Sequence, residues 1–504
     1  MTKTQSLLVA AAFFIYLLAN VFLLKDYGVT WDFSYHYNAG LFHLDRTTET
    51  GFKIGPSPPL SDILPVLSKI LFSDRLRWLP WNSAYNLYSV VLGSTGILVL
   101  FFFASSLFNW QTGLFSAIIL ALLPRYFGHL HNNMKDIPQA VFFTLSLYCF
   151  WALVNKPSFK KLIFSVLAFA LAFNSKVNAV FIPFIAIAWL LIRIFTGKIR
   201  LKKLNSYVHL YFFLAPLFAF FLWSIFWPDP LARLAEATHS YTTSTTNMPL
   251  LYFGSTVYSG NNVPWHYPLG IFLATTPILI ILTALIGLML VVRIIFKSKA
   301  ALFTVLWFFL PLSRYLKPGM AVIDDVRHFM EVLYPLSLLA GIGTLTIFNR
   351  LPLFYKRAAY TVFFIYLLIP VVTFHPHQTS YFSEAVGGIN RAQNKFDIEF
   401  WANAYKQALP WLNQHAPLNS KITVAMAPDI ARLYLRQDLK DRLGTVNLGI
   451  RDDSVYTTSD YTVILNRQSF YNWYAVNSYM SSRQPVFSLT VHNVPLVRIY
   501  QNKK

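Results

Sequence analysis

Cysteine is almost absent: the 504-residue chain has one, Cys149, inside an apolar run. A single thiol excludes an intrachain disulfide and a multi-cysteine zinc site, and Cys149 reads as buried and inert. Charge is scarce as well. Only 12% of residues are charged, about half the roughly 25% usual in soluble domains. Acidic residues are scarcest, with 21 Asp and Glu against 42 Lys and Arg. The resulting net charge of +21 raises nucleic acid as a partner, but there is no basic domain or basic tail to hold one, so no nucleic-acid partner is expected. No internal repeat is visible. The tail lacks a nucleotide-binding glycine pattern and a metal-ligand cluster, so no nucleotide is expected.

What is present is apolar and aromatic. Hydrophobic residues make up 55% of the chain, with 46 Phe, 28 Tyr and 13 Trp, and the mean hydropathy is +0.46. This composition describes a polytopic α-helical membrane protein. Eleven apolar runs approach the roughly 20 residues a bilayer needs: 6–24, 85–107, 112–128, 137–155, 161–175, 177–195, 206–227, 268–293, 300–316, 328–348 and 358–374. The first, Leu7 to Leu24 after Lys3, resembles a signal peptide. It lacks a small-residue cleavage site and is long enough to span, so it reads as a retained first helix. A short hinge, Asn174-Ser175-Lys176, separates two of the runs.

The loops set orientation. One set carries Lys3; Lys156, Lys160 and Lys161; Arg193, Lys198, Arg200, Lys202 and Lys203; Arg293, Lys297 and Lys299; and Arg350, Lys356 and Arg357, with no acidic residue. These loops are therefore expected in the cytoplasm. That places the N-terminus inside and the C-terminus outside, as for a multi-pass protein of the cell inner (plasma) membrane with a periplasmic tail. Residues 1–374 form the membrane region in this reading. Residues 375–413 are a linker with an interfacial helix, and 414–504 a small α/β domain outside the membrane.

Residues 25–84 form a long first outer loop, where Leu60, Ile63, Leu64, Leu67, Ile70 and Leu71 follow helical spacing. This suggests a helix lying in the membrane interface, with Pro65 near its first turn. A second long loop, 228–267, is rich in Thr, Ser, Tyr and Asn and suits an acceptor site. In the tail, a helix over Glu399–Leu409 presents Trp401 and Tyr405 to the interface, with Trp411 just beyond Pro410. Lys421–Met426 and Tyr461–Leu465 read as strands, Ile430–Arg436 and Phe470–Met480 as helices. Val486–Val491 and Val494–Tyr500 read as a hairpin across His492-Asn493. Pro495 would make the second strand of that hairpin an edge strand.

The chemistry concentrates between two apolar runs, in Pro124 to Pro138. This insert holds Arg125, His129, His131, Lys135 and Asp136. Ionisable groups beside hydrocarbon are costly unless partnered, so they mark a site. Asp32 follows the first span on the same outer face, and partial burial there can tune a carboxylate as a general base. Arg327-His328 opens the tenth span on that face, and a guanidinium fork suits a phosphate. Lys176 is a further outer cation. Two acids and several cations on one membrane face fit transfer from a phospholipid-type carrier.

Asp32 in the first loop, Arg125-Tyr126-Phe127-Gly128-His129 with Lys135-Asp136, Arg327-His328-Phe329 and the block His375-Pro376-His377-Gln378 with Tyr381-Phe382 and Gly387-Gly388 together resemble the GT-C glycosyltransferases. Within them, the likeness is to the protein O-mannosyltransferases and the lipid A aminoarabinose transferases. It implies a GT-C type fold of about eleven transmembrane helices with a small outer C-terminal domain. It implies a polyprenyl-phosphate-linked sugar donor and a lipid, glycan or protein acceptor. Asp32 takes the catalytic role in that comparison and Asp136 that of the second acid. Arg327, helped by Lys135 or Arg125, binds the donor phosphate, and His129, His131, His328 and Lys176 are further candidates. Many members have Asp-Glu where this chain has Asp32-Phe33. Some members use a divalent metal cation and others do not; Asp32 and Asp136 would be its ligands here. The rival reading is a polytopic transporter or flippase of a lipid-linked saccharide. Transporters place their charges near mid-membrane in repeated halves, whereas here the charges collect at one face.

Overall fold

The computed structural model describes residues 3–55, 57–200, 204–243, 247–446 and 454–502. Its membrane region is a bundle of helices: α1 (Lys3–Leu23), α2 (Phe33–His43), α3 (Leu60–Lys69), α4 (Trp81–Leu107), α5 (Trp110–Ala121), α6 (Pro124–Leu130), α7 (Asp136–Asn155), α8 (Phe159–Ser175) and α9 (Phe181–Phe195). There follow α10 (Ser206–Phe221), α11 (Pro230–Thr243), α12 (Tyr267–Thr275), α13 (Ile278–Arg293), α14 (Lys299–Leu312), α15 (Leu333–Asn349) and α16 (Leu353–Thr373). Asn109, Ser158 and Ser298 cap α5, α8 and α14 by accepting a backbone N–H in the first turn.

Among the described residues six helices are long and apolar enough to cross a membrane, or seven if the pair α5–α6 counts as one. The remaining apolar runs of the expected eleven are shorter or broken, and proline accounts for two of the breaks. The expected span 112–128 bends by 68° between α5 and α6, because Leu123, ahead of Pro124, is pushed into extended backbone. The expected span 268–293 divides at Thr276, likewise extended ahead of Pro277. The run 206–227 stops as an α-helix at Phe221. The Lys176 hinge is extended, between the end of α8 and a short 3-10 turn leading into α9. Where α13 crosses α15, a Cβ on Gly287 would stand 1.9 Å from the Leu339 carbonyl oxygen, and one on Gly343 1.9 Å from that of Thr283. Glycine is what lets these backbones approach.

In the first outer loop α3 buries Ser61, Asp62, Pro65 and Val66. It starts at Leu60, so Pro65 falls in the second turn rather than the first. The second outer loop forms α11 and then a hairpin, β1 (Pro249–Tyr252) with β2 (Ser255–Tyr258), which the polar composition did not suggest.

The tail contains α17 (Gly388–Ala392), α18 (Tyr405–His415), α19 (Pro428–Tyr434) and a five-stranded sheet. Its strands are β3 (Ile422–Val424), β4 (Leu443–Thr445), β5 (Tyr461–Leu465), β6 (Phe487–Val491) and β7 (Val494–Gln501), in the order β4-β3-β5-β7-β6. The expected hairpin is present as β6–β7, with His492 and Asn493 both at positive φ, as a two-residue primed turn requires. Its second strand is interior, not an edge. Pro495 is tolerated because it pairs with Thr490 beside a register shift, beyond Val497 where the ladder to β5 ends. The tail helix expected at Glu399–Leu409 is displaced to Tyr405–His415, with Pro410 and Trp411 inside it. The helix expected over Phe470–Met480 is reduced to short turns at Gln468–Phe470 and Asn477–Ser481.

Candidate active site

Five separate stretches converge at one end of the bundle: the segment ahead of α2, the α6–α7 junction, the α8–α9 hinge, a 3-10 stretch at Asp325–Val332, and residues 399–403 of the tail. Arg327 is their common partner. Its guanidinium donates to Asp32 at 2.6 Å and to Asp324 at 2.7 Å, and lies 3.3 Å from Asp136. Its flat face stacks over the ring of Trp401 at 4.9 Å. Trp401 is therefore buried against the site, not placed in an interface.

The two acids differ in access. Asp136 is 1% exposed and accepts from Lys176 at 2.6 Å and from the Asn133 side chain at 3.0 Å. Both carboxylate oxygens of Asp136 are thus engaged. The Asp32 side chain is 35% exposed, so a substrate can reach it. Partial burial pushes the Asp32 carboxyl up, but the charges of Arg327, His36 and Lys135 outweigh that and hold it below the usual carboxylate range. It is ionised at neutral pH.

Lys135 is half-buried, and among the described residues its ammonium enters none of the ion pairs. The ion pairs here join four carboxylates, Asp32, Asp136, Asp324 and Asp325, to four cations, Arg327, Lys176, Arg467 and Arg125. Lys135 is a fifth cation beside these pairs, close enough for its charge to act on Asp32.

Not every expected residue faces Arg327 and Asp32. Arg125 is 1% exposed; it pairs with Asp325 at 2.8 Å, donates to the Thr379 carbonyl and lies over the Phe382 ring. It ties α6 to the start of the tail and is buried away from an arriving phosphate. Gly128, one turn further along α6, permits the same close approach: an added Cβ would stand 2.8 Å from the Thr379 nitrogen. His131 stacks on Tyr27 at 3.9 Å, with Nδ1 on the Phe127 carbonyl, which is a packing role. His129 is buried edge-on to Trp401, and its Nδ1 meets Asn133, the residue that also holds Asp136. His328 contributes its carbonyl to Asn178 and Arg314.

Sequence reasoning did not assign Asp324, Trp401, Glu399 or Arg467 to the site. Arg467 donates to Asp324 at 2.7 Å and to the Phe400 carbonyl at 2.8 Å. The adjacent pair Asp324-Asp325, just ahead of Arg327, was the available signal.

A divalent cation fits this arrangement poorly. Among the described residues no group of three or more His, Cys, Asp or Glu is placed to hold a metal ion. Asp32 and Asp136, the two expected ligands, are each already in contact with the Arg327 guanidinium.

Three comparisons bear on this site. Residues 81–225 match the family of dolichyl-phosphate-mannose-protein mannosyltransferases, a stretch that contains Lys135, Asp136 and Lys176. Among solved structures the chain is similar to ArnT from Cupriavidus metallidurans, in the apo state (TM-score 0.54) and bound to undecaprenyl phosphate (TM-score 0.52). Both are 13% identical, with 100% of this chain and 99% of that one covered. It is also similar to the oligosaccharyltransferase AglB from Archaeoglobus fulgidus in complex with an inhibitory peptide and a dolichol-phosphate. There the identity is 10% and the TM-score 0.52, covering 92% of this chain and 70% of that one. No curated protein sequence matches. The fold is that of the GT-C membrane glycosyltransferases, with a small C-terminal sheet domain. Within that class, the match over residues 81–225 is to the O-mannosyltransferases and the structural likeness over the full length is to ArnT.

Proposed function

We propose that this protein transfers a sugar from a polyprenyl-phosphate carrier to an acceptor hydroxyl at the outer face of the membrane, inverting the anomeric carbon. The observation that carries the reading is Arg327, shared between reachable Asp32 and buried Asp136, with Lys135, which enters no ion pair among the described residues, nearby. The relatives solved with undecaprenyl phosphate and with a dolichol-phosphate support the choice of donor. The acceptor is a lipid, glycan or protein hydroxyl.

An arriving donor phosphate competes with Asp32 for the Arg327 fork and gains the charge of Lys135. Asp32, released from Arg327, faces the acceptor. The acceptor oxygen bonds to the anomeric carbon, its proton passes to the Asp32 carboxylate, and the bond from that carbon to the phosphate oxygen breaks. Polyprenyl phosphate leaves with the electron pair, its charge offset by Arg327 and Lys135. A carboxylate of low pKa suffices as base, because a hydroxyl becomes strongly acidic as its oxygen bonds to carbon. Asp136, fixed by Lys176 and Asn133, holds Arg327 in place.

The test is Asp32→Asn, reconstituted in nanodiscs and supplied with a panel of purified polyprenyl-phosphate sugars. The variant should retain donor and lose transfer by roughly 10²–10⁴-fold, the usual worth of a positioned base. Near-normal transfer would remove Asp32 from the role. Absence of transfer by the unmodified protein from every carrier in the panel would remove the reading itself.

A further inference from the structure

At the other end of the bundle lies a second cluster of cations. From Lys176 a 3-10 turn and then α9 lead to Arg193, a path of roughly 25–30 Å at helical rise. α14 likewise runs from Lys299 towards Arg314, whose guanidinium reaches the carbonyl of His328 beside the active site. A cavity of about 240 Å³ opens between the far ends of these helices, lined by Arg193, Lys198, Lys297 and Lys299 and by no acidic residue.

None of these four cations takes part in an ion pair among the described residues. Two are fixed by other means. Arg193 lies over the Trp189 ring at 4.8 Å; Lys299 lies near the Trp151 ring at 5.2 Å and donates to the Asn155 side chain. The Trp189 indole in turn donates to the Lys299 carbonyl at 2.9 Å, joining the two helices below the cavity. Like charges held around one hollow repel each other unless an anion enters. Thr196 and Ser298 add hydroxyls to the wall, while Ile192 and Leu302 make part of it apolar. Phe195 and Phe296, 84% and 68% exposed, stand at the same end, where a bilayer's acyl chains would meet its headgroups.

We propose that this cavity binds the phosphate headgroup of an anionic phospholipid in the leaflet opposite the active site. The four cations receive the phosphodiester, the hydroxyls its glycerol oxygens, and the apolar wall with Phe195 and Phe296 the first part of the acyl chains. Basic pockets between membrane helices are suited to such headgroups. The site is independent of the sugar-transfer chemistry, which it does not touch.

The experiment uses the delipidated full chain in detergent, titrated with dioleoyl phosphatidylglycerol or dioleoyl phosphatidylcholine and read by native mass spectrometry. The unmodified protein should hold one phosphatidylglycerol in preference to phosphatidylcholine. Lys198→Gln/Lys297→Gln/Lys299→Gln should weaken that binding by about tenfold or more, given the contribution of each lysine near an anionic surface. Arg193 is left intact for its packing on Trp189. The comparison variant Lys160→Gln/Arg350→Gln/Arg357→Gln removes as many charges from the same end of the bundle outside the cavity and should bind as the unmodified protein does. Equal loss in both variants would overturn the proposal, because diffuse surface charge would then explain the binding. So would unchanged binding in the cavity variant. Displacement by glycerol 1-phosphate at equal concentration would also overturn it, since the site would then be one for a free phosphate.

Discussion

Arg327 holds three carboxylates, yet its removal leaves only one of them without a cation. Asp136 keeps Lys176 and Asp324 keeps Arg467; Asp32 alone loses its partner, and Asp32 is the most exposed of the three. Arg327→Ala is therefore expected to fold and insert but to bind polyprenyl phosphate roughly tenfold to a hundredfold more weakly, the range for hydrogen bonds to charged groups. Arg327→Lys should recover part of that loss, because the charge returns without the fork. Lys135→Gln should weaken donor binding with no loss of thermal stability, since the ammonium enters no ion pair among the described residues. Competition with radiolabelled polyprenyl phosphate in nanodiscs measures all three, and unaltered affinity in Arg327→Ala would rule out the phosphate contact. Asp32, Asp136, Lys135 and Arg327, which the fold brings together, could be singled out as candidates in the sequence because charge beside an apolar run is rare. The fate of Arg125 was not, because only the folded chain brings Asp325 and the Thr379 carbonyl to it. Its sidedness could be read, but not that its charge was already taken.

The element that closes the site is the stretch from Glu399 to Asn403. Glu399 Oε1 accepts the backbone N–H groups of Trp401 at 2.7 Å and Ala402 at 2.9 Å, and the Trp401 carbonyl accepts from the Trp31 backbone at 2.8 Å. Ala402 sits at φ 59°. These features explain why the tail helix starts later than its sequence suggests: the carboxylate ties up the N–H groups, and a left-handed residue stops the helix from extending towards Glu399. The apolar and aromatic periodicity across this region carries no sign of either feature. The turn at His492-Asn493 could be read, by contrast, because its geometry is decided within two residues. Burial pushes the Glu399 carboxyl up to about 7 against the lowering effect of those backbone N–H groups. A folded pKa above the ordinary 4.5 means that the folded state binds the extra proton. The associated stability is complete below about pH 4.5 and is lost as pH rises towards 7. Thermal unfolding of the full chain in detergent should accordingly lose up to roughly 3 kcal/mol from this group across that window. Glu399→Gln, which keeps an acceptor for the two N–H groups but cannot ionise, should flatten that part of the profile. An identical pH slope in both proteins would show that Glu399 does not titrate there.

Across the whole molecule, charge is sorted by end. The ion-paired cluster around Arg327 lies at one end, and the loops carrying Lys156, Lys160, Arg193, Lys198, Lys297, Lys299 and Arg350 lie at the other. That sorting was legible from the alternation of basic and acid-bearing loops. The folding of the tail back over the membrane region was not: Arg467 and Asp324 are 143 residues apart, and no local pattern pairs them. Yet the contact has a topological consequence. Because Arg467 and Trp401 reach the Arg327 cluster, the tail must lie on the same side of the membrane as Asp32. The excess of Lys and Arg in the other loops predicts that those loops are cytoplasmic, and hence that the tail and active site are outside. Alkaline phosphatase fused after Lys504 should therefore be active in intact cells, and the same enzyme inserted after Lys297 should be inactive. A fluorescent protein that matures only in the cytoplasm should give the opposite pattern at both positions. Activity of the phosphatase at Lys297 with none at Lys504 would invert the orientation and place Asp32 and its acceptor in the cytoplasm. Matching phosphatase activity at both positions would instead break the bundle's alternation, because α9 and α14 could not then each join the Arg327 end to the basic end across one bilayer.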